Sequence, residues 1–397
     1  MHHKPFLFLF VLAILSPFLQ AQNDSIGFNF RVIRNLPSTS VKDQAFSGTC
    51  WAFATVSFIE SELLRMGKDT LDVSEMFFVN YAYKEKSERY VRFHGNTNLG
   101  QGGQAHDVLN IIKIHGMVPE SVYPGLLPGE KKHRHGELEA MVKAAAGALI
   151  KNPDRQLSKA WEKAMGGIVD AYLGELPRQF SYNGKNYTPE SFLKAYDFDP
   201  DDYVSLTSYS HHPFYEPFIL EIPDNWAHNE YINVPLDDLM ETLNAALDQG
   251  YTVCWDGDVS DKGFSHNKGV AIVPDVELAD YTGSEKSRWQ ELTEKERQKT
   301  FFSFERPVPE RKITDADRLQ AFNNYSSTDD HLMHITGKAV DRLGNLYYIT
   351  KNSWGDKSNE QGGFLNMSEA YVRLNTIAIT LHKKAIPAHI RAKCNIK

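Results

Sequence analysis

The order of apolar and polar residues predicts several helices in the first two thirds of the chain. Between Cys50 and Met66 the apolar side chains recur at intervals of three and four, which is typical of a helix with a broad buried face. The same periodicity predicts helices over about 105–115 and 236–249. A run of alanines favours another helix over about 138–150.

Strand-like patterns are concentrated nearer the C-terminus. The short apolar run 251–255 follows a predicted helix directly and predicts a buried strand. Residues 331–340 and 346–351 predict two further strands, separated by the turn 341–345 with its Gly, Asn and Asp. The chain therefore combines helices and strands.

The first 21 residues have the pattern of an export signal. Lys4 lies in a short basic start, an unbroken apolar run covers 6–15, and Ala21 precedes an expected cleavage before Gln22. An uncleaved anchor is the alternative, although the run is too short to span a membrane comfortably. We therefore expect a signal peptide over 1–21 and an exported bacterial protein, located in the periplasm or outside the cell, without stable membrane insertion.

Charge and composition narrow the classes of partner. The chain has 397 residues, of which 42% are hydrophobic, so a substantial core is available. It carries 43 Lys and Arg against 51 Asp and Glu, and loss of residues 1–21 would remove one lysine and leave 42 − 51, or −9. No basic field is available to replace counterions, which argues against nucleic acid or an anionic membrane as a partner.

Cysteine is sparse, and no metal site is visible. An exported chain with only Cys50, Cys254 and Cys394 is not a disulfide scaffold. We expect a free, buried Cys254, and a bridge between Cys254 and Cys394 stays open because sequence cannot place them within bonding range. The paired histidines do not lie beside cysteine or carboxylate at structural-zinc spacing, so no metal or other cofactor is predicted.

Cys50 carries the most informative chemistry because it begins a predicted helix. A thiolate is the nucleophilic form of cysteine, and a helix N-terminus lowers the pKa of a thiol. Gln44 lies six positions upstream (50 − 44), and its amide could donate to a developing oxyanion. Viewed alone, Cys50 could equally be a core cysteine.

A histidine and an asparagine follow far downstream. His331 begins a predicted strand, and Asn352 lies 21 residues later (352 − 331) in the segment Asn-Ser-Trp-Gly. His334 is a rival for the role of proton carrier. Because side chains alternate along a strand, the two histidines should point to opposite faces, so only one of them faces Cys50 easily.

The order of these motifs resembles the papain-like cysteine peptidases. Segment 43–51 supplies Gln and Cys-Trp, and the downstream His and Asn-Ser-Trp complete the order. Segment 69–78 is similar to the superfamily's stretch after the nucleophile helix. Segments 102–109 and 116–124 resemble the bleomycin hydrolase and aminopeptidase C branch, and the similarity covers most of 25–387.

The resemblance implies an α+β papain-like fold with a helical left subdomain and a β-barrel-like right subdomain. A single peptidase domain would then occupy 22–397. The interval from Cys50 to His331 is 281 residues (331 − 50), whereas papain-type enzymes separate these residues by about 130–150. The excess is expected as an enlarged helical insertion over about 126–225.

The resemblance also implies roles for individual residues. Asp330 before His331 matches the Asp-His pair of related enzymes and favours His331 over His334. The implied residues are Cys50 as nucleophile, His331 as proton carrier, Asn352 as the residue that orients it, Gln44 as oxyanion donor, and Gly102 and Gly103 as substrate-binding glycines. The Gly pair could equally form a simple turn.

The implied function is an exported thiol peptidase that hydrolyses peptide substrates through a Cys-His-Asn triad and an acyl-enzyme. Aminopeptidase action is favoured; the alternatives are an endopeptidase or a catalytically silent peptide-binding protein on the same fold. In the named branch the C-terminal arm enters the cleft, but here the tail 388–397 is short and basic. The exo or endo choice and a homo-oligomer therefore stay open.

Overall fold

The computed structural model describes residues 27–154, 156–276 and 293–397. The expected signal peptide lies outside the described residues. The helices are α1 Cys50–Arg65, α2 Glu75–Arg92, α3 Ala105–His115, α4 Gly136–Ile150, α5 Ala160–Leu173, α6 Pro189–Tyr196, α7 Leu236–Gln249, α8 Glu294–Phe301, α9 Asp315–Asn323, α10 Glu369–Asn375 and α11 Ala388–Lys393. Among the described residues, none of these helices has the length and apolar character that a bilayer crossing requires.

The strands form one large sheet and one small hairpin. They are β1 Arg31–Asn35, β2 Phe180–Tyr182, β3 Lys185–Tyr187, β4 Tyr203–Thr207, β5 Pro217–Ile219, β6 Glu230–Asn233, β7 Val253–Gly257, β8 Phe264–Ser265, β9 Val270–Ala271, β10 His331–Val340, β11 Leu346–Lys351, β12 Phe364–Ser368 and β13 Thr376–His382. The large sheet has the order β5-β6-β4-β13-β7-β10-β11-β12-β9-β8, with β1 also paired to β10. Strands β2 and β3 form the separate hairpin.

The predicted helices and strands are present. The helices over 105–115 and 236–249 have the predicted bounds, and α4 begins two residues before the predicted 138. Strands β10 and β11 also have the predicted bounds, whereas β7 begins and ends two residues after the predicted run 251–255. Local periodicity was therefore sufficient to locate the elements that carry the candidate site.

Helices α1, α2 and α3 build the helical half of the molecule. Nearly every residue of α1 is buried, including its polar positions, because α2 and α3 cover one side and strands β7 and β10 cover the other. Their shared core contains Trp51, Phe58, Phe77 and Val108. Helices α4 and α5 pack on the outer side of α2.

Strands β7 and β10 lie at the centre of the sheet, between α1 and α7. Their antiparallel register pairs Cys254 with His334 and Asp256 with Leu332. Since side chains alternate, Leu332 and Cys254 join the core around α1, whereas Met333 joins the core around α7. The strand that begins with His331 is thus buried on both faces.

Residues 126–202 connect the two halves with α4, α5, the β2–β3 hairpin and α6. This stretch lies within the region predicted as a helical insertion. Strand β4, which also falls within the predicted bounds, instead belongs to the large sheet through its pairing with β13. The domain and insertion bounds themselves stay predictions.

The three cysteines are free. Cys254 packs toward α1 and contacts Thr55 Oγ1 at 3.6 Å, whereas Cys394 packs in the core around α7. The two thiols therefore lie on opposite faces of the sheet. The bridge that the sequence left open is not formed, and the expectation of a free, buried Cys254 is confirmed.

The C-terminal tail packs on α7. Ile390 is fully buried in the core on that side of the sheet. Lys393 Nζ lies 3.6 Å from Asp238 Oδ2, and His389 Nε2 lies 3.5 Å from Glu241 Oε2. Residues 388–394 thus lie on the face of the sheet that is opposite α1.

Candidate active site

Cys50 is the first residue of α1 and is 8% exposed. Thr49 precedes it, and the Thr49 hydroxyl makes no capping bond to the helix but lies 2.6 Å from Ser47 Oγ. The first N–H groups of a helix have no partner within the helix. The backbone N–H of Cys50 is consequently an available hydrogen-bond donor close to the Cys50 thiol.

Gln101 fixes the loop that leads to Cys50. Its Oε1 accepts from the N–H of Gly48 at 2.7 Å, and its carbonyl oxygen accepts from Trp51 Nε1 at 3.0 Å. Its Nε2 donates to Glu139 Oε2 at 2.6 Å, which ties this loop to α4. Gln101 was too weakly supported by sequence to receive a role, but the structure gives it one in positioning.

His331 and Asn352 meet as the sequence predicts. His331 Nε2 lies 2.8 Å from Asn352 Oδ1. The N–H of Ser353 also lies 2.7 Å from that atom and can only donate, so the atom is the amide oxygen. His331 Nε2 therefore carries a proton, and its Nδ1 is left as the basic nitrogen.

The Asn352 amide is also held from its other end. Its Nδ2 lies 3.3 Å from His266 Nδ1, and His266 Nε2 lies 2.7 Å from Ser358 Oγ. The ring of Trp354 packs against both histidines, at centroid distances of 4.9 Å from His331 and 4.7 Å from His266. This cover shields the contact between His331 and Asn352 from water.

Gln44 links the nucleophile loop to the Asn352 segment. Its Nε2 donates to Ser47 O at 2.7 Å, and its Oε1 accepts from Ser353 Oγ at 2.6 Å. Its backbone N–H also donates to Ser353 O at 2.9 Å. An amide nitrogen has two N–H groups, so the second remains for a substrate oxygen.

Helix α1 packs along β10, and this brings Cys50 to the strand that carries His331. The backbone N–H of Leu332, the residue after His331, acts on the Cys50 thiol and favours its ionised form. His331 is therefore the residue immediately before Leu332, whose N–H contacts the Cys50 thiol. The fold thus brings Cys50, His331, Asn352 and Gln44 to one site.

The resting protonation state differs from the expected thiolate. The pKa of Cys50 is raised to about 12, mainly by burial and also by nearby carboxylates, which together outweigh the Leu332 N–H. Burial lowers the pKa of His331 to about 4, although its bond to Asn352 acts in the opposite direction. Both shifts favour a neutral Cys50 thiol and a neutral His331 imidazole at neutral pH.

Gly102 and Gly103 lie beside this site, each under a neighbouring side chain. A Cβ on Gly102 would lie 1.8 Å from Asp224 Oδ2, and a Cβ on Gly103 would lie 3.0 Å from the Trp51 ring. Both glycines are thus required by packing within the chain. Contact of these glycines with a substrate stays a prediction.

His334 has a different environment from His331. It is fully buried on the α1 side of the sheet, and its Nδ1 lies 2.9 Å from Ser57 Oγ. Lys351 Nζ donates to the same hydroxyl at 2.8 Å, so the hydroxyl proton is directed at His334. Burial, followed by the charge of Lys351, lowers the pKa of His334 well below its ordinary value. It is a neutral core histidine, and alternation along β10 turns it to the face opposite His331.

Sequence reasoning missed His266 and the carboxylates around Cys50. His266 follows β8, and only the pairing of β8 with β9 and of β9 with β12 brings it to Asn352. Asp256 could have been found, because it directly follows the predicted strand 251–255 and, two residues after Cys254, shares its face once the strand continues. For Asp224 and Asp329 we see no signal in the local pattern.

Comparison with known proteins identifies a family for this chain. The model of the Peptidase C1-like family matches residues 15–397. Aminopeptidase G of Lactobacillus delbrueckii subsp. lactis is 26% identical over 393 residues, which cover 88% of this chain and 82% of that protein. Aminopeptidase W of the same organism is 27% identical over 398 residues, which cover 89% and 83%.

Among solved structures, that of pepw from Lactobacillus rhamnosis HN001 is similar to this chain. The TM-score is 0.68 at 19% identity, and the match covers 92% of this chain and 84% of the other. At this identity the likeness concerns the fold alone. The predicted α+β, papain-like fold is confirmed.

Proposed function

The chain belongs to the Peptidase C1-like family and is a cysteine peptidase, and on this premise we propose that it is an aminopeptidase acting through Cys50, His331 and Asn352. The observation that carries the proposal is the bond of 2.8 Å between His331 Nε2 and Asn352 Oδ1, on the strand that packs against the helix of Cys50. Relatives named Aminopeptidase G and Aminopeptidase W support the choice of exopeptidase action.

The proposed reaction begins with proton transfer from the Cys50 thiol to His331 Nδ1. The thiolate attacks the carbonyl carbon of the scissile bond, and the carbonyl oxygen becomes an oxyanion. The second N–H of the Gln44 amide and the N–H of Cys50 are the proposed donors to that oxyanion. Asn352 keeps the imidazole in the tautomer that accepts at Nδ1.

The remaining steps return the enzyme to its starting state. His331 gives its proton to the leaving amine as the C–N bond breaks, which leaves a thioester on Cys50. His331 then accepts a proton from water, whose oxygen attacks the thioester. The C–S bond breaks, the free amino acid leaves as a carboxylic acid, and the thiol is restored by the proton from His331.

Two comparisons test this proposal. Cys50→Ala should abolish hydrolysis of peptide amides, whereas Cys394→Ser, a substitution far from the site, should leave the rate unchanged. Persistent turnover by Cys50→Ala would contradict the proposed nucleophile. Free and N-acetylated peptides then distinguish the class, because an aminopeptidase needs the free amine. Equal cleavage of both would indicate an endopeptidase, and absence of turnover by a folded protein would favour a silent peptide-binding protein.

We also propose that residues 1–21 direct export. The apolar run after Lys4 and the small residue at Ala21 support this reading. Expression of the full chain in a bacterium, followed by N-terminal sequencing of the protein outside the cytoplasm, should give Gln22 as the first residue. An intact Met1 on protein that stays in the cytoplasm would contradict the proposal.

A further inference from the structure

Three carboxylates lie close enough to the nucleophile to influence its ionisation. Apart from burial, the charges that raise the pKa of Cys50 come from Asp224, Asp329 and Asp256. We call these three side chains the carboxylate pocket. They reach Cys50 from three different elements: Asp256 lies on β7, Asp329 in the loop before β10, and Asp224 in the loop before β6.

Asp256 is the buried floor of the carboxylate pocket. It pairs with Leu332 across the sheet and shares the face of Cys254, which is turned toward α1. Leu332 is also the residue whose N–H acts on the Cys50 thiol, so Asp256 lies on the strand next to the nucleophile. Asp256 is 3% exposed, yet neither carboxylate oxygen has a hydrogen bond of normal geometry within the described residues.

A buried carboxylate without a cationic partner is costly and needs an explanation. Asp329 and Gln104 lie within hydrogen-bonding reach of Asp256, and a contact between two carboxyl groups requires a proton on one of them. Burial comes first and Asp329 second among the causes that raise the pKa of Asp256 well above its ordinary value, and burial with Asp224 raises that of Asp329 to about 7. The two groups therefore repel each other when both are ionised, and a cation between them would relieve the repulsion.

Asp329 and Asp224 are held in place with one oxygen each. Gln104 Nε2 donates to Asp329 Oδ2 at 3.0 Å, and Asn98 Nδ2 donates to Asp224 Oδ1 at 2.6 Å. Gln104 is in turn held by the Tyr231 hydroxyl, which donates to its Oε1 at 3.1 Å. Asp329 also contacts the carboxyl group of Asp256, so the members of the carboxylate pocket are held in a fixed arrangement.

Lys86 does not supply a cation between these carboxylates. Lys86 lowers the pKa of Asp224 by its charge, but its Nζ donates to the carbonyl oxygens of Gly100 and Gly102. Its own pKa is lowered by burial, which disfavours the charged form. No lysine or arginine is among the main influences on Asp256 or Asp329.

The spacing of the acceptors favours an ammonium group over a metal ion. Within the described residues, two clusters place three ligand atoms within 4.8 Å of one another, and neither contains a member of the carboxylate pocket. A single ion could not contact all three side chains at ordinary ligand distances. An ammonium group can instead donate to two of the acceptors and keep the third as a nearby charge, whereas a calcium ion needs six or more oxygen ligands.

We propose that the carboxylate pocket binds an ammonium group of the peptide substrate beside Cys50. The proposal rests on the proposed function and names the substrate feature that the site recognises. The α-amine of a peptide is two bonds from the first carbonyl carbon, so its binding group must lie beside the nucleophile, as Asp256 does. The tail 388–394 lies on the other face of the sheet, so selection for the amine falls to groups in the cleft. A lysine that precedes the residue bearing the scissile carbonyl would offer an ammonium group as well.

Alkylation tests the pocket without requiring turnover. Cys50 is labelled with neutral iodoacetamide and with cationic 2-bromoethylammonium, and each rate is divided by the rate with free cysteine. The wild-type ratio should favour the cationic reagent by about tenfold. Asp256→Asn and Asp329→Asn should each remove most of this preference while the iodoacetamide rate stays similar. Glu216→Gln removes one charge from an exposed position before β5 and serves as the matched control.

An unchanged preference in both Asn variants, with thermal unfolding showing that they are folded, would overturn the carboxylate pocket. A wild-type ratio equal to that of free cysteine would overturn it as well. A cationic preference without any hydrolysis would instead overturn the proposed function and keep the pocket. The two proposals can therefore fail separately.

Substrates identify the source of the ammonium group. An amino-acid anilide carries a free α-amine, its N-acetyl form carries none, and N-acetyl-lysyl-alanyl anilide carries only the side-chain ammonium. A fall in kcat/KM of about tenfold or more for Asp256→Asn on the first anilide alone would assign the α-amine. The same fall on the third alone would assign the side chain. Equal falls on all three would contradict ammonium recognition.

Discussion

His331 Nε2 and Asn352 Oδ1 are 2.8 Å apart, and the N–H of Ser353 determines which end of the amide faces the imidazole. Since this N–H can only donate, the Asn352 amide cannot rotate without losing two hydrogen bonds. The tautomer of His331 is thereby set by the backbone of β11 and the residue after it. The basic nitrogen Nδ1 is free for the Cys50 proton.

Asn352→Ala should therefore lower kcat/KM. Proton transfer by a positioned side chain contributes about 10²–10⁴-fold to the rate of an enzyme. Loss of the orientation of the His331 imidazole should lower kcat/KM by about 10²-fold. Steady-state hydrolysis of a peptide anilide measures the effect. The matched control is Asn267→Ala, an exposed asparagine next to His266, which should keep the wild-type rate. A folded Asn352→Ala protein with wild-type kcat/KM would contradict the assignment.

The pH dependence of Cys50 alkylation should reflect a Cys50 thiol and a His331 imidazole that are both neutral at rest. The pKa of His331 is lowered to about 4 and that of Cys50 is raised to about 12, both mainly by burial. Above a pH of about 4 the neutral imidazole accepts the thiol proton, and the fraction of the reactive ion pair stays constant until the thiol itself ionises. The part of the rate that passes through His331 should thus be independent of pH above about 4, whereas the rate of free cysteine rises up to its pKa of about 8.5.

His331→Ala supplies the contrast for this profile. Without the base, Cys50 reacts only as it ionises, so its alkylation should be slow at neutral pH and should rise steadily into the alkaline range. Mass spectrometry of the Cys50 peptide separates this thiol from Cys254 and Cys394. A wild-type profile that follows free cysteine would show that His331 does not assist the thiol.

Much of this site could be predicted because its motifs are local. Cys50 begins a helix whose periodicity is visible, and His331 and Asn352 flank strands with clear apolar patterns. The alternation along β10 also predicts that His331 and His334 point to opposite faces, whereas the preference for His331 comes from the Asp330-His331 resemblance. These features depend on neighbouring residues only, so a single sequence contains them.

The site features that the sequence did not predict depend on strand order, which local patterns do not encode. His266 reaches Asn352 because β12 lies between β11 and β9, and β9 pairs with β12 in parallel. Asp256 meets Asp329 because β7 is the neighbour of β10. Burial also reversed the expected thiolate, since the helix N-terminus alone argued for a lowered pKa. The degree of burial is set by the whole fold.

His334 should make the protein less stable in mild acid. Its folded-state pKa is well below the unfolded value of about 6.5, so the unfolded chain binds a proton that the folded chain does not. Its contribution is fully present above pH 6.5 and is lost as pH falls, by about 1.4 kcal/mol per pH unit. Urea unfolding at pH 7.5 and 5.5 measures the difference.

His334→Gln should reduce this pH dependence, because its amide can still accept from Ser57 but does not titrate. Other buried histidines with lowered pKa values, among them His106 and His135, contribute equally to both proteins, so the comparison isolates His334. The variant should also retain hydrolysis, unlike His331→Ala. Identical pH slopes for the two proteins would show that His334 is not held neutral by the fold.

The hydrogen bond between Gln101 and Glu139 should be reversible by exchanging the two residue types. Gln101→Glu keeps an acceptor for the Gly48 N–H but sets two carboxylates where Nε2 and Oε2 are now 2.6 Å apart. The repulsion should displace the loop before Cys50 and lower kcat/KM on the order of tenfold. Adding Glu139→Gln restores a donor opposite the new carboxylate and should return kcat/KM to within about threefold of wild type. Glu139→Gln alone should have a small effect, since its amide can still accept from Gln101. A double variant no better than Gln101→Glu would show that Gln101 does not position Cys50 through α4.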